Sequence, residues 1–247
     1  MLQYIKNRGF TEKFREDINS MKPCLFVAKT DNKDDDKWLP LYVHLKDTAG
    51  VMRKLIKIWL ADSVIKAAGL DFESFLKAAC FLAAIHDIGK ATSYFQSIIT
   101  SKLPEKREEL NKNGFVVGDV YRDAGKTPHA YAGEEIIKHL FGRQDLSEKE
   151  KLKINNYASV VGAHHGKPKS DEYVSGVKVD YFSYYKRNIF GTKEDKVIIL
   201  WEKAWNRIIE TAFAESRVEG FEELPDINLE AQTIISGLLI IADWIAS

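Results

Sequence analysis

The sequence predicts a mostly α-helical single domain with a few short strands, and three observations support this fold class. Apolar residues recur at intervals of three and four along most of the chain, as they do on one face of an α-helix. Strand-like patterns are confined to short stretches, and no alternation of strands with helices predicts a parallel sheet. With 247 residues, of which 45% are hydrophobic and 29% charged, the chain is long enough for one sizeable core.

The helical pattern starts near residue 41 and continues to the end of the chain. Residues 41–69 carry one long amphipathic pattern, for which Gly69 is a plausible end. An almost wholly apolar helix is predicted for "DFESFLKAACFLAAIHDIG", with an N-cap at Asp71 and a terminator at Gly89. Further helices are predicted over residues 92–101, 129–141, 148–163, 195–214 and 229–246.

Other stretches lack a clear helical pattern. Residues 1–40 are predicted to be an N-terminal extension, and residues 41–247 a helical metal-binding core. The tract 103–127 is rich in Lys, Glu, Asn and Gly and is predicted to be a long surface excursion. Residues 166–192 are mixed, with short strands predicted around "EYVSGVKVDYFSYY". The acidic run "DNKDDDK" at 31–37 lacks the glycine and glutamate of a calcium-binding loop, so a solvated loop is preferred.

Composition limits the classes of function. The net charge is zero, so any contact with nucleic acid must come from a local patch of charge. The two cysteines, Cys24 and Cys80, stand far apart, which is typical of free thiols in a reducing cytoplasm. The N-terminus has no signal-peptide pattern, and the apolar stretch "TIISGLLIIADWIA" is too short and interrupted for a bilayer span. We therefore expect a soluble cytoplasmic protein with no membrane partner.

Two carboxylates stand at positions that are predicted to be buried. Asp87 follows the apolar helix, and Asp243 is the only charged residue in "AQTIISGLLIIADWIAS". A buried and unpaired carboxylate is very costly, so each must be paired, protonated or bound to a metal ion. Because His86 stands beside Asp87, metal binding is the most economical interpretation: imidazole and carboxylate together suit Mn, Fe, Co, Ni or Zn.

The histidines extend this hypothesis. The chain has six of them: His44, His86, His129, His139 and the adjacent pair His164 and His165. Taken singly, each has a structural explanation, such as a helix cap, an ion pair or a partly buried side chain. Two adjacent imidazoles on a helix project about 100° apart, so the pair can meet at one site only near a helix end, which Gly166 favours. One metal site explains five of the six together with both carboxylates. His139 is predicted to lie outside it, near a helix C-terminus.

This ordered set of residues resembles the HD phosphohydrolase superfamily, and more closely the HD nuclease domain of the type I CRISPR effector helicase–nuclease. The resemblance covers residues 41–247 and is carried by "HLKDTAG", "AAIHDIGKATSYFQ", "PHAYAGEE", "VVGAHHGKP" and "LLIIADWIAS". "HDxGK" is common to many HD enzymes, whereas "GKATSYFQ", the histidine pair and "ADWIAS" are more specific. Most such chains continue into a helicase, and this one does not continue beyond Ser247. We expect either an excised domain or a stand-alone nuclease subunit.

The resemblance implies an HD-type helical domain over residues 1–247 and a site with two divalent transition-metal ions, of Mn, Fe, Co or Ni, bridged by Asp87. The implied ligands are His44, His86 and Asp243 for one ion, and His129, His164 and His165 for the other. Two cations neutralise a phosphodiester and lower the pKa of a bound water, so no protein nucleophile is required. Asp87 and Lys90 are the predicted catalytic residues. Lys90 either faces the scissile phosphate or is an ordinary solvent-facing lysine.

The resemblance also implies a substrate and partners. The implied activity is endo- and exonucleolytic cleavage of single-stranded DNA in CRISPR interference, an antiviral defence, together with a helicase module and a guide-RNA surveillance complex. The stretch "YFSYYKRN" interleaves aromatic and basic residues, as a stacking surface for single strands would, and the alternative is a β-edge packed on the core. The predicted substrate contacts are Lys90, Tyr184, Tyr185, Lys186 and Arg187.

Two other functions stay open. An HD phosphohydrolase acting on nucleotides or cyclic dinucleotides would use the same metal chemistry, although the absence of a "GYP" signature disfavours the cyclic dinucleotides. A catalytically silent scaffold is the second alternative. It is disfavoured because every ligand position of the motif is filled.

Overall fold

The computed structural model of the protein describes residues 25–31, 37–118, 127–142, 145–166, 173–174, 177–178 and 189–247. The α-helices of these residues are α1 Leu41–Lys54, α2 Asp62–Ala67, α3 Phe72–Ile85, α4 Ser93–Ile99, α5 Pro104–Lys112, α6 His129–Phe141, α7 Glu148–Ala163, α8 Asp195–Ser216 and α9 Leu229–Ala246. The strands β1 Val27–Thr30 and β2 Trp38–Pro40 form one antiparallel pair, and β3 Tyr173–Val174 and β4 Val177–Lys178 form another. The predicted mostly α-helical fold with minor short strands is confirmed.

Helix α3 lies at the centre of the core. All of residues 78–85 are buried, because the apolar side chains of this helix surround its axis. Helices α1, α8, α9 and α7 pack around it. The carboxylate of Asp71 caps its first turn, as predicted, by accepting a hydrogen bond from the Ser74 backbone N–H at 2.9 Å. The helix ends at Ile85, four residues before the predicted terminator, and a 3₁₀ turn follows at Ile88–Lys90.

Two predicted elements differ from the structure. The single helix predicted for residues 41–69 is interrupted, because a π-helical turn at Leu55–Trp59 follows α1 and Leu60 is extended, with φ −77° and ψ 127°. The tract 103–127, predicted to be a surface excursion, contains α5. This helix begins with Pro104, whose fixed φ suits the first helical position, and it buries Leu110.

Strand β1 is part of the same core as the helices. Leu25, Phe26 and Val27 are all buried. The ring of Phe26 stacks on Trp201 at a centroid distance of 5.5 Å and meets Phe115 edge-on at 5.1 Å. Residues that precede the helical pattern therefore contribute to the core. The division of the chain at residue 40 stays a prediction.

Helix α9 has one buried and one exposed apolar face. Ile235 and Leu239 are buried, and the helix packs on α1, α7 and α3. Ile241, Trp244 and Ile245 are exposed, Trp244 to 78%. By length and composition α9 could cross a membrane, contrary to the expectation from its sequence, and it is the one such helix in the part of the chain described here. This is weak support for a membrane span, because core helices of soluble proteins have the same properties.

Candidate metal centre

The end of α3 brings His86 and Asp87 to the centre of the site. His86 is the C-cap of α3, and Asp87 begins the 3₁₀ turn that follows. Both side chains are almost completely buried. The Nδ1 of His86 lies 2.8 Å from the Ala83 carbonyl oxygen, which can only accept, so Nδ1 carries the proton. The Nε2 atom is therefore left to face the Asp87 Oδ2, 3.4 Å away.

One group of possible ligands contains His44, His86, Asp87 and Asp243. Their ligand atoms all lie within 4.8 Å of one another. Helix α1 supplies His44, whose Nε2 lies 3.0 Å from the Asp87 Oδ2 and 3.2 Å from the Asp243 Oδ1. Asp243, in the last turn of α9, also approaches the His86 Nε2 to 3.6 Å. Three helices from distant parts of the chain thus meet at this group.

A second group contains His129, His164 and His165. His129 is the first residue of α6, and His164 is the C-cap of α7. The Nδ1 of His164 lies 2.6 Å from the Val161 carbonyl oxygen, so this imidazole also directs its Nε2 into the site. The Nε2 atoms of His165 and His129 are 2.8 Å apart. Gly166 follows with φ +83°, so the two adjacent histidines stand at a helix end, where both can reach one site.

Asp87 connects the two groups. Its Oδ1 lies 3.2 Å from the His129 Nε2 and 3.4 Å from the His164 Nε2. Its Oδ2 faces His44 and His86. A carboxylate with one oxygen in each group has the geometry of a bridging ligand. The two groups coincide with the division predicted from the sequence, and the binding of ions by them stays a prediction.

Gly89 allows the two groups to approach one another. A Cβ atom at this position would lie 1.9 Å from the carbonyl oxygen of His129 and 2.6 Å from the backbone nitrogen of Gly133. These contacts are with the backbone of α6, which cannot rotate away as a side chain can. The 3₁₀ turn and α6 therefore touch at a distance that only glycine permits.

Lys90 faces the site and not the solvent. Its Nζ lies 2.6 Å from the Asp87 Oδ2, and its side chain is only 15% exposed. The ammonium group also lies 5.7 Å from the centroid of the Phe95 ring. The alternative of an ordinary solvent-facing lysine is therefore wrong, while the catalytic role of Lys90 stays a prediction.

The first group of ligands favours positive charge. Burial opposes protonation of His86, but the nearby carboxylates of Asp87 and Asp243 outweigh it and raise the pKa of His86 to about 9. The pKa of His44 is also raised, since its hydrogen bonds to Asp243 and Asp87 exceed the opposing effect of burial. Burial disfavours the charge of Asp87, yet His86 and Lys90 hold its pKa well below the ordinary value. Without a metal ion, protons bound to His44 and His86 thus balance the negative charge of the two carboxylates.

Two imidazoles of the second group, those of His129 and His165, favour the neutral form. Burial lowers the pKa of His129, although the nearby carboxylate of Asp87 acts in the opposite direction. Burial and the neighbouring imidazoles of His164 and His129 lower the pKa of His165 to about 4. Neutral imidazole is the form that binds a metal ion, so these side chains need to release few protons before they can coordinate.

The residues present fit divalent transition-metal ions. Among the described residues, four members of the two groups have a buried atom without a hydrogen-bond partner: the His44 Nδ1, the His86 Nε2, the His164 Nε2 and the Asp87 Oδ1. Buried polar atoms without partners are rare and costly. Coordination of a cation would satisfy the last three, whereas His44 faces the carboxylates with its Nε2. A donor set of imidazole and carboxylate without thiolate matches Mn, Fe, Co or Ni better than structural Zn.

His139 lies outside the two groups, as expected: its Nε2 lies 2.6 Å from the Glu202 Oε1 and ties α6 to α8. The predicted substrate contacts Tyr184, Tyr185, Lys186 and Arg187, together with Cys24, fall outside the described residues, so their roles stay predictions. Sequence reasoning did not identify Gly89 as a contact residue, nor Phe95 and Gln96 as neighbours of Lys90. The motif "GKATSYFQ" contains the latter two, but nothing in it shows what they touch.

Comparisons with known proteins agree on one family. The family model described as "Cas3, HD domain" matches residues 28–247. The CRISPR-associated nuclease/helicase Cas3 of Streptococcus thermophilus is 30% identical over 237 residues, which are 90% of this chain and 24% of that protein. The chain thus spans about a quarter of the length of this curated relative.

Solved structures show the same fold. The Thermus thermophilus cas3 HD domain in the presence of Ni²⁺ matches with a TM-score of 0.57 and 22% identity over 91% of this chain and 76% of that one. A chain of a CRISPR RNA-guided surveillance complex, pre-nicking, matches with a TM-score of 0.62 and 21% identity over 90% of this chain and 24% of that one. Since the family model covers nearly all of the sequence, the chain belongs to the family of Cas3 HD domains.

Proposed function

We propose that this chain is a metal-dependent nuclease that hydrolyses phosphodiester bonds of single-stranded DNA in type I CRISPR interference. The observation that carries the proposal is Asp87, whose two carboxylate oxygens each face a different group of histidines. When bound there, two divalent cations supply Lewis acidity, which neutralises the phosphodiester and lowers the pKa of a water nucleophile.

The chain's own residues would hold and orient the reacting groups. The ligands of one ion would be His44, His86 and Asp243, those of the other His129, His164 and His165, and Asp87 would be shared. The backbone carbonyls of Ala83 and Val161 fix the tautomers of two of these imidazoles. The ammonium of Lys90 places a fixed positive charge at the edge of the site, where negative charge develops on the phosphate. Burial of Asp87 excludes water and strengthens these electrostatic interactions.

The partners follow from the same proposal. A helicase module would supply the single strand, and a guide-RNA surveillance complex would recruit both. The Streptococcus thermophilus relative is a nuclease/helicase, and one matched structure is that of an RNA-guided surveillance complex, which supports these partners. We place the nuclease in the cytoplasm without a membrane partner, with residues 41–247 as the metal-binding core and residues 1–40 as an extension. The segment that contains Tyr184–Arg187 is proposed to contact the DNA strand.

The proposal is tested by incubating the purified chain with circular single-stranded DNA, duplex DNA and a panel of nucleotides and cyclic dinucleotides. Mn²⁺, Fe²⁺, Co²⁺, Ni²⁺, Zn²⁺ and Mg²⁺ are compared, with EDTA as the metal-free control. The variant Asp87→Asn removes charge from the shared ligand. The matched control is His139→Gln, which changes a histidine that makes an ion pair away from the metal centre.

We expect metal-dependent loss of the single-stranded circle, which requires endonucleolytic cleavage, followed by degradation of the linear product. This activity should be absent in Asp87→Asn and retained in His139→Gln. Hydrolysis of nucleotides with intact DNA would contradict the proposal and favour the small-molecule phosphohydrolase. Bound metal with no hydrolysis of any substrate would instead favour the silent scaffold.

A further inference from the structure

We propose that Gln96 is a positioning residue of the metal centre, and that its carboxamide ties strand β1 to the turn that carries Lys90. The inference rests on the proposed function of this site, because it concerns how the site is held in its working geometry. Gln96 itself does not contact the ligand groups. Its effect is transmitted through the backbone of the turn between Asp87 and α4.

Both the oxygen and the nitrogen of the Gln96 carboxamide make hydrogen bonds. The side chain lies on α4 and is fully buried. The Val27 backbone N–H donates to the Gln96 Oε1 at 3.1 Å, and the Nε2 donates to the Val27 carbonyl at 2.8 Å. A further donation from Nε2 reaches the Lys90 carbonyl at 2.9 Å. A flipped carboxamide would bring its oxygen against two carbonyl oxygens, so this orientation is the one the surroundings require.

Strand β1 needs this partner because Val27 presents its backbone groups on the outer edge of the strand. Val27 is paired in register with Pro40. The preceding residue makes the hydrogen bond on the side of β2, since the N–H of Leu41, which directly follows β2, donates to the Phe26 carbonyl at 2.8 Å. The N–H and carbonyl of Val27 therefore point away from β2. Buried backbone groups without partners are costly, and Gln96 pairs with both.

On the other side, Gln96 holds one of three consecutive carbonyl groups. The carbonyl oxygens of residues 89–91 each accept a hydrogen bond from a different side chain. The donors are the Thr92 Oγ1 at 2.9 Å, the Gln96 Nε2 at 2.9 Å and the Trp205 Nε1 at 2.6 Å. The turn is thus fixed along its length, and among these three donors only Gln96 connects it to strand β1.

This turn sets the position of groups on both sides of the metal centre. It carries the ammonium of Lys90, 2.6 Å from the Asp87 Oδ2. At Gly89 it also touches the backbone of His129, which belongs to the second group of ligands. If the loss of Gln96 shifts this turn, the ammonium of Lys90 moves relative to the first group of ligands. The contact between Gly89 and the backbone of His129, in the second group, changes as well.

The test uses two matched variants. Gln96→Met keeps the length and burial of the side chain but removes its hydrogen bonds. The control is Asn111→Leu, because Asn111 makes the same double clamp on one backbone position: its Nδ2 donates to the Val117 carbonyl and its Oδ1 accepts from the Val117 N–H, both at 3.1 Å. For each variant we would measure the dissociation constant for Mn²⁺ by calorimetry, the melting temperature, and kcat and KM on single-stranded DNA.

If Gln96 positions the centre, Gln96→Met weakens Mn²⁺ binding and lowers kcat, each by about 10- to 100-fold, with a smaller change in KM. Asn111→Leu, at an exposed position, should lower the melting temperature by less and leave Mn²⁺ affinity unchanged. Unchanged Mn²⁺ affinity in a folded Gln96→Met, or equal losses of affinity in both variants, would overturn the inference.

A replacement variant and a binding measurement that does not require catalysis keep the test decisive. If Gln96→Met does not fold, Gln96→Asn takes its place. This side chain is one methylene shorter, so it cannot bond to strand β1 and to the Lys90 carbonyl at once, and an unchanged Mn²⁺ affinity would again overturn the inference. The comparison of Mn²⁺ affinities also does not depend on catalysis. A wild-type chain that binds Mn²⁺ and leaves DNA intact would refute the proposed nuclease, while the positioning role would still be decided by binding.

Discussion

Replacing Gly89 by alanine tests whether the close contact between the 3₁₀ turn and α6 sets the geometry of the metal centre. The added Cβ atom would lie 1.9 Å from the carbonyl oxygen of His129, whereas ordinary contact begins at 3.4 Å. The turn and α6 must therefore separate by about 1.5 Å. A second close approach, 2.6 Å to the backbone nitrogen of Gly133, prevents a simple sideways shift.

A displacement of this size breaks the contact between the two groups of ligands. The Nε2 of His129 now lies 3.2 Å from the Asp87 Oδ1, and a further 1.5 Å or so would end that interaction. We expect Mn²⁺ affinity to fall by at least about tenfold, as it does when the support of a ligand is lost. Overpacking of this kind costs about 1–3 kcal/mol of unfolding free energy. At about 2–4 °C per kcal/mol for a chain of this length, the melting temperature should fall by several degrees.

Calorimetric titration with Mn²⁺ and thermal unfolding in EDTA measure these two effects separately. The matched control is Gly50→Ala, a substitution within α1 where the new Cβ would meet no atom within 4 Å. There alanine should raise helix stability by up to about 1 kcal/mol and leave Mn²⁺ binding unchanged. If Gly89→Ala binds Mn²⁺ as tightly as the wild type and melts no lower, the argument from backbone contact is refuted.

Three further expectations concern single side chains. Burial opposes the charge of His86, but nearby carboxylates raise its pKa to about 9, so the metal-free fold keeps a proton that the unfolded chain loses above about pH 6.5. The bound proton stabilises the metal-free fold below about pH 6.5, and this stabilisation is lost as the pH rises towards 9. Urea unfolding in EDTA would measure it, and a free energy of unfolding that rises over this range would contradict the reasoning. Burial raises the pKa of the Cys80 thiol to about 11. In a variant whose other cysteine is replaced by serine, a thiol reagent at pH 8 should therefore label Cys80 only as fast as the protein unfolds. Rapid labelling of the folded protein would contradict this expectation. His139→Gln removes the contact with Glu202 and should cost about 1 kcal/mol of stability with unchanged Mn²⁺ affinity. A weakened affinity would instead extend the metal centre to α8.

The members of the candidate centre could be identified from sequence because their residue types were anomalous for their surroundings. Asp87 and Asp243 are carboxylates attached to apolar helices, and His164 and His165 are adjacent at a helix end. By contrast, Gln96 is an ordinary polar residue on a short helix, and its partner Val27 is 69 residues away. Such a contact depends on how the elements pack, which local sequence does not encode.

The same distinction applies to the fold. The predicted bounds of α6, α7 and α9 agree with the structure because each helix combines an apolar period with a boundary residue. These are Gly142 after α6, Ser147 before α7 and Asn228 before α9. The sequence does not predict helix α5, because the helix is highly charged and only Lys106 and Leu110 among its residues are buried. Strands β1 and β2 have four and three residues, too few for an alternating pattern to be recognised. The contact of Gly89 with α6 cannot be seen in one stretch of sequence, so the sequence predicts only a helix terminator there.

The ends of α3 and α7 orient two of the candidate ligands in the same way. His86 and His164 each follow the last helical residue, and each Nδ1 donates to the carbonyl three residues earlier. The final carbonyl groups of a helix have no partner within it, so each helix end supplies the acceptor that fixes its own imidazole. Adding or deleting one residue turns everything beyond it by about 100°. Insertions and deletions among related chains should therefore fall in loops, since one residue more or fewer in the last turn of either helix would rotate its histidine away from the site.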